Sequence, residues 1–222
     1  MGEYPWIDDY IQKAIKNNVS TPPIILGIGG PAGVGKSTFA RDLSKYLLTR
    51  GHKTTILELD DFILSRSLRP HSSEWGPDHI NIEALRRILY LIKRGERRID
   101  IRKHANNTRR SASPWIMDLI GIRVVIFEGV YALNNVTELG KFSSFLDLSI
   151  YMHARPIDLK SWRFQQEKRK MEGRTAEEMN RHWKEGILPD LYERVMPTKN
   201  NAKIIIEVDH KRTTRIFLNI RP

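Results

Sequence analysis

The sequence predicts an α/β fold with a mostly parallel central sheet and helices on both faces. Three observations carry that expectation. Apolar runs of strand type alternate along the chain with segments whose apolar residues recur at helical spacing. A glycine-rich turn separates the first such run from the helix that follows it. The chain has 222 residues, 40% of them hydrophobic, with no internal repeat and no Pro/Gly/Ser linker, so one domain over residues 1–222 is expected.

The elements follow in order. Ile7, Tyr10, Ile11, Ala14 and Ile15 share one helical face, placing an N-terminal helix within about residues 1–20, before Pro22 and Pro23. Residues 24–28 form an apolar strand that ends in glycines. Helical spacing resumes over 36–48 through Phe39, Ala40, Leu43, Tyr46 and Leu47, and Gly51 stands where a helix stops. A second strand over 54–59 closes on Asp60 and Asp61. Asn81 is a suitable cap for a helix reaching about residue 93, with Gly95 beyond it. Residues 123–127, 146–151 and 203–208 read as buried strands. The stretches 65–78 and 102–113 are polar and poorly periodic, and loops of that length are usually functional. They make residues 65–113 the expected acceptor-binding insertion.

Composition excludes several classes. With no cysteine there is no disulfide scaffold, thiolate zinc site or thiol nucleophile. No window approaches the ~18 consecutive apolar residues of a spanning helix, and the opening residues lack a basic run followed by an apolar stretch. A soluble, cytoplasmic protein without membrane contact is therefore expected. Lys and Arg number 37 against 26 Asp and Glu, a net +11. The excess gathers in two stretches, 86–110 and 155–174. Such a field attracts nucleic acid, acidic lipid or phosphorylated metabolites alike.

Gly30, Pro31, Ala32, Gly33, Val34, Gly35, Lys36 and Ser37 match G-x-x-x-x-G-K-[ST] in full, between a strand and a helix as that motif requires. Glycines let successive backbone N–H groups turn inward around phosphate oxygens, and the following helix presents its positive end. Lys36 reaches the β- and γ-phosphates, while the Ser37 hydroxyl coordinates Mg²⁺. Thr38 completes the expected nucleotide-binding set, and the fold becomes the three-layer P-loop NTPase type. The guanine-reading Asn/Thr-Lys-x-Asp element has its nearest counterpart at Thr198, Lys199, Asn200 and Asn201, which lacks the carboxylate. The strand over 123–127 ends in Glu128 and Gly129 rather than the Asp-Glu of motor ATPases.

Five blocks in order resemble the uridine kinase, phosphoribulokinase and bacterial pantothenate kinase family of P-loop kinases. They are the loop at 30–37; Leu59, Asp60, Asp61 and Phe62; Phe127, Glu128 and Gly129; the basic helix over 155–174; and Met196, Pro197, Thr198 and Lys199 with the apolar run after Ala202. The resemblance spans about residues 24–208. It implies ATP and Mg²⁺ as cofactors, and transfer of the γ-phosphoryl group to a hydroxyl of a small metabolite. It implies Asp60 as acceptor of the hydroxyl proton, and Glu128 as a partner of the metal or the substrate hydroxyl. It also implies a small mobile lid over about 155–180, whose Arg163, Arg169 and Arg174 face the phosphates. Homo-oligomers are common among such kinases. Here the Arg-Asp pair that uridine kinases carry in the lid helix reads Glu167 and Lys168.

Acceptor recognition leaves alternatives open. A nucleoside is the acceptor the family weights first. The segment Ile101, Arg102, Lys103 and His104 replaces the family's tyrosine with Arg102, and keeps His104 where a substrate histidine stands. Paired cations point instead to a carboxylate or phosphate on the acceptor, pantothenate-like or sugar-phosphate-like. A nucleic-acid-stimulated ATPase is the rival from another class. It calls for aromatics among the basic residues of 86–110, where only Tyr90 and His104 occur.

Overall fold

The computed structural model describes residues 4–16, 22–69, 76–101, 116–169 and 175–218. Its main sheet has six strands: β1 (Ile24–Gly29), β2 (Thr54–Glu58), β5 (Val124–Glu128), β6 (Leu148–His153), β7 (Ile204–Val208) and β8 (Thr214–Leu218). Their order is β2-β5-β1-β6-β7-β8. The first five run parallel, and β8 pairs antiparallel with β7. Every residue of β1 and β5 is buried, so these central strands are covered on both faces, as a parallel sheet requires. Residues such as Ile25, Leu26, Ile28 and the apolar part of β5 form the core.

Helix α1 (Pro5–Lys16) precedes the sheet and buries Ile7 and Ile11. It is tied down by Tyr46 Oη and Arg50 Nε donating to Asp8, at 2.7 and 2.9 Å. α2 (Lys36–Thr49) packs Phe39, Ala40, Leu43, Tyr46 and Leu47 inward, the face that the spacing predicts. α3 (Ile82–Lys93) starts at Asn81, whose side chain accepts from Ala84 N at 3.1 Å. α4 (Pro156–Arg169) follows β6, and α5 (Ala176–His182) opens with a capping box between Thr175 and Glu178. Beyond it the chain stays helical, through π-helical turns at Trp183–Ile187 and Leu191–Val195, to the 3₁₀ turn Met196–Asn201. Among the described residues no helix is long and apolar enough to cross a membrane.

Several boundaries and elements differ from the sequence expectation. Leu59 leaves β2 for a 3₁₀ turn, Leu59–Phe62. The strand expected at residue 146 begins at Leu148: the Asp147 amide donates to the Ile25 carbonyl (2.9 Å), but the return bond from Ile25 N goes to the Asp147 carboxylate (2.7 Å), which also accepts from Lys93 Nζ (2.7 Å). A small antiparallel pair, β3 (Arg98–Asp100) with β4 (Ile116–Asp118), was not expected from the sequence. β8 was not anticipated either.

Candidate active site

The strand ends build the site. Ile28 of β1 and Glu58 of β2 both align with Glu128 of β5, which puts three neighbouring carboxyl-terminal ends at one level. The phosphate loop leaves β1 there. Gly30 takes a φ of +136°, and a Cβ on it would overlap the Met152 carbonyl of β6. Gly35, at φ 107°, caps α2, and the N-terminus of α2 faces the same space. Val34 packs into the core at 1% exposure, anchoring the loop from below.

Lys36 is buried and its Nζ donates to the Pro31 carbonyl at 2.9 Å. Burial pulls its pKa down, and the nearby Glu128 and Asp60 carboxylates oppose that pull. Ser37 Oγ donates to Glu128 Oε1 at 2.5 Å. Glu128 is itself 5% exposed. Burial raises its pKa, against the opposing influence of Lys36 and the Ser37 hydroxyl. Gly129 follows, where a Cβ would overlap Leu59, so β5 and the turn after β2 approach closely. That turn holds Asp60 at the surface. Its N-terminal residue, Glu58, makes no side-chain capping bond.

Lys36, Ser37, Thr38, Asp60 and Glu128 line one cavity of about 470 Å³ together with Gly33, Gly35 and Ala32. Five carboxylate, hydroxyl and ammonium groups that the sequence spreads over about ninety residues thus meet. A half-buried hydroxyl bonded to a buried carboxylate is a pair of hard oxygen donors, which suits Mg²⁺ completed by phosphate and water oxygens.

The basic helix is partly placed. Arg163 sits half-buried on α4 and is not among the residues lining this cavity; Trp162, Gln165 and Gln166 are. Arg169 is the last residue of α4, and its side chain lies outside the described residues. Arg174, Arg102 and His104 also lie outside them. Sequence reasoning missed Arg212, which enters the cavity from the turn between β7 and β8. Its guanidinium carbon stands 3.9 Å from the centre of the Trp162 ring, and Nη1 donates to the Gly33 carbonyl at 3.1 Å. The run Asp209, His210, Lys211, Arg212 shows a basic turn, but nothing in it shows which way the turn points. Arg41, one turn beyond Ser37, also lines the cavity.

Residues 25–215 match the profile described as "Phosphoribulokinase / Uridine kinase family". A pantothenate kinase from Lactococcus lactis subsp. cremoris (strain MG1363) is 28% identical over 94% of this chain and 75% of its own. A uridine kinase from Saccharomyces cerevisiae is 26% identical over 90% of this chain and 40% of its own. Among solved structures, a D-glycerate 3-kinase from Cryptococcus neoformans var. grubii superposes with a TM-score of 0.64 at 17% identity, covering 96% of this chain and 98% of that one.

Proposed function

The chain belongs to the phosphoribulokinase / uridine kinase family and is an ATP-dependent phosphotransferase acting on a hydroxyl group; from that premise we propose that its acceptor is a small anionic alcohol and that the cavity at the strand ends is where transfer occurs. The observation that carries the site is the convergence of Lys36, Ser37, Asp60 and Glu128 in one cavity.

In this reading the backbone amides of residues 30–37 and the Lys36 ammonium hold the triphosphate. Ser37 and Glu128 hold Mg²⁺, which when bound neutralises the charge spread over the phosphate oxygens. Asp60 accepts the proton of the attacking hydroxyl, since it stands at the end of β2 within the same cavity and is open to an incoming substrate. Arg169 and Arg174 belong to the lid segment and supply further cations to the transferring group; Arg163, half-buried and off the cavity wall, does not share that role. Arg102 and His104 belong to the acceptor side. Arg102 with Lys103 suits a carboxylate on the acceptor, and the similarity to a pantothenate kinase over 94% of this chain supports an acid of that kind.

A nucleoside acceptor is the second reading. It is favoured by the Asp60, Asp61 and Phe62 element and by the similarity to a uridine kinase. One experiment separates these readings: ATP consumption with pantothenate, other hydroxy acids, sugar phosphates, uridine and cytidine, followed by mass detection of the product. Phosphorylation of a hydroxy acid or a sugar phosphate is expected. Transfer to nucleosides alone selects the second reading, and ATP turnover that rises only with DNA or RNA removes both.

A further inference from the structure

We propose that Arg212 is a nucleotide-binding residue of the donor site, whose guanidinium contacts the phosphates of the bound nucleoside triphosphate. The proposal rests on the reading of the cavity as the ATP site and adds a contact from a part of the chain outside the phosphate loop and α4.

The backbone points to it first. Arg212 has φ +66°, a left-handed conformation, and it is one of two non-glycine residues with positive φ among the described residues. Such a conformation costs a branched or long side chain stability unless the surroundings hold it. Here they do. The Asp209 carboxylate accepts from Lys211 N and Thr213 N, both at 2.9 Å. Asp209 N donates to the Thr213 carbonyl at 3.0 Å, and Arg212 N to the Asp209 carbonyl at 2.9 Å. On either side the ladder is closed by the pairing of Val208 with Thr214. Glycine or asparagine satisfies such a turn at lower cost. The turn is therefore rigid, and its strained position carries an arginine aimed across the sheet end.

The destination of the side chain is the second observation. The guanidinium carbon stands over the Trp162 ring in a cation–π contact, 3.9 Å from its centre, and the group reaches the phosphate loop at Gly33. Three segments distant in sequence thus meet at one group: the phosphate loop, α4 and the β7–β8 turn.

The third observation is charge. Other arginines around the fold have a carboxylate within reach: Arg50 with Asp8, Arg155 with Asp158 and Arg194 with Asp190. Among the described residues no carboxylate pairs with Arg212, and the partial burial of its head group lowers its pKa without an acid to offset it. A guanidinium has five N–H donors. Arg212 directs one to a carbonyl and keeps its charge uncompensated on the wall of a cavity that Lys36 also lines. An anion placed between them is the missing partner. The fork geometry of a guanidinium suits two phosphate oxygens at once, and the contact with Trp162 keeps the guanidinium at the cavity wall.

The test compares wild type, Arg212→Ala and Arg212→Lys by calorimetric titration with MgATP and with magnesium tripolyphosphate, alongside thermal melts without ligand. Hydrogen bonds to charged groups have a strength that corresponds to about 10- to 100-fold in affinity. Arg212→Ala should weaken ATP and tripolyphosphate by that factor alike. Arg212→Lys should recover part of both, and all three melting temperatures should agree within about 3 °C. An ATP affinity within twofold of wild type overturns the proposal, and with a lowered melting temperature it makes Arg212 a strut between α4 and the loop. A loss for ATP but not for tripolyphosphate overturns it too, because the contact is then with ribose or base. If wild type itself binds neither ligand, the reading of the cavity falls, whatever the variants do.

Discussion

Replacing Gly30 by alanine separates the two reasons a phosphate loop has for glycine. At Gly30 a Cβ would sit closer than 3.0 Å to the backbone carbonyl of Met152, and 3.2 and 3.3 Å from that residue's carbonyl carbon and amide nitrogen. Backbone cannot rotate away as a side-chain tip can. β1 and β6, which pair up to Gly29 and Tyr151, must part at the point where the loop departs. Overpacking of this kind costs about 1–3 kcal/mol. The φ of +136° adds about 1–3 kcal/mol for a residue with a Cβ. Their sum is about 4 kcal/mol, and for a domain of this size each kcal/mol shifts Tm by about 2–4 °C. A Tm lowered by about 10 °C is expected in a melt without nucleotide. The loop amides move with the strand, and a misplacement of that order costs about 100-fold in kcat/KM. Gly33→Ala is the control. At φ +81° with nothing within 4 Å of its Cβ, it costs about 1–2 kcal/mol, or about 5 °C. Should Gly30→Ala melt no lower than Gly33→Ala, the close approach of β1 and β6 is not what requires glycine.

Two further outcomes test the chemistry. Asp60 is exposed, so Asp60→Asn should leave Tm and ATP affinity within error while kcat falls about 10²–10⁴-fold; steady-state rates retaining more than half of wild-type kcat rule out Asp60 as the base. Burial holds the Glu128 carboxyl above its ordinary 4.5, so the folded chain binds that proton more tightly than the unfolded one. The linked stability is greatest below about pH 4.5 and declines as pH climbs from there to the raised folded value. Glu128→Gln removes the decline, so the Tm difference, wild type minus variant, should fall over that interval in nucleotide-free protein. A flat difference means that the carboxylate is not penalised by burial.

The fold was legible where burial is two-sided. Strands β1 and β5 are covered on both faces and therefore read as unbroken apolar runs, which is why their place was evident from residues 24–28 and 123–127. β8 is an edge strand whose Thr214, Arg215, Ile216 and Phe217 are exposed, so it carries no such run. β3 and β4 are three residues each and pair across more than a dozen intervening positions, a separation that periodicity cannot span. Within the site, Lys36, Ser37, Asp60 and Glu128 each end a strand or sit in a fixed motif, and a parallel sheet delivers such residues to one edge. Trp162, Gln165, Gln166 and Arg212 reach the same cavity only because α4 and a hairpin turn fold over it. Their role is tertiary, and local sequence holds no trace of it.

The charge pattern of the cavity also explains why it is expensive to leave empty. Burial drives Lys36 and Glu128 both toward their neutral forms, and each restrains the other. Arg212 adds a cation with no acid beside it. A site optimised for stability alone would not bury an ammonium and a carboxylate beside one cavity and set a guanidinium at its exposed rim. A polyphosphate supplies negative charge to the two cations, and a divalent ion supplies positive charge to the carboxylate. Lys36 and Glu128 then gain counter-charge beyond what each supplies to the other, and Arg212 gains its first. The cavity thus favours a metal-bound triphosphate over either component alone, because the phosphates add charge complementary to Lys36 and Arg212 while the metal adds charge complementary to Glu128.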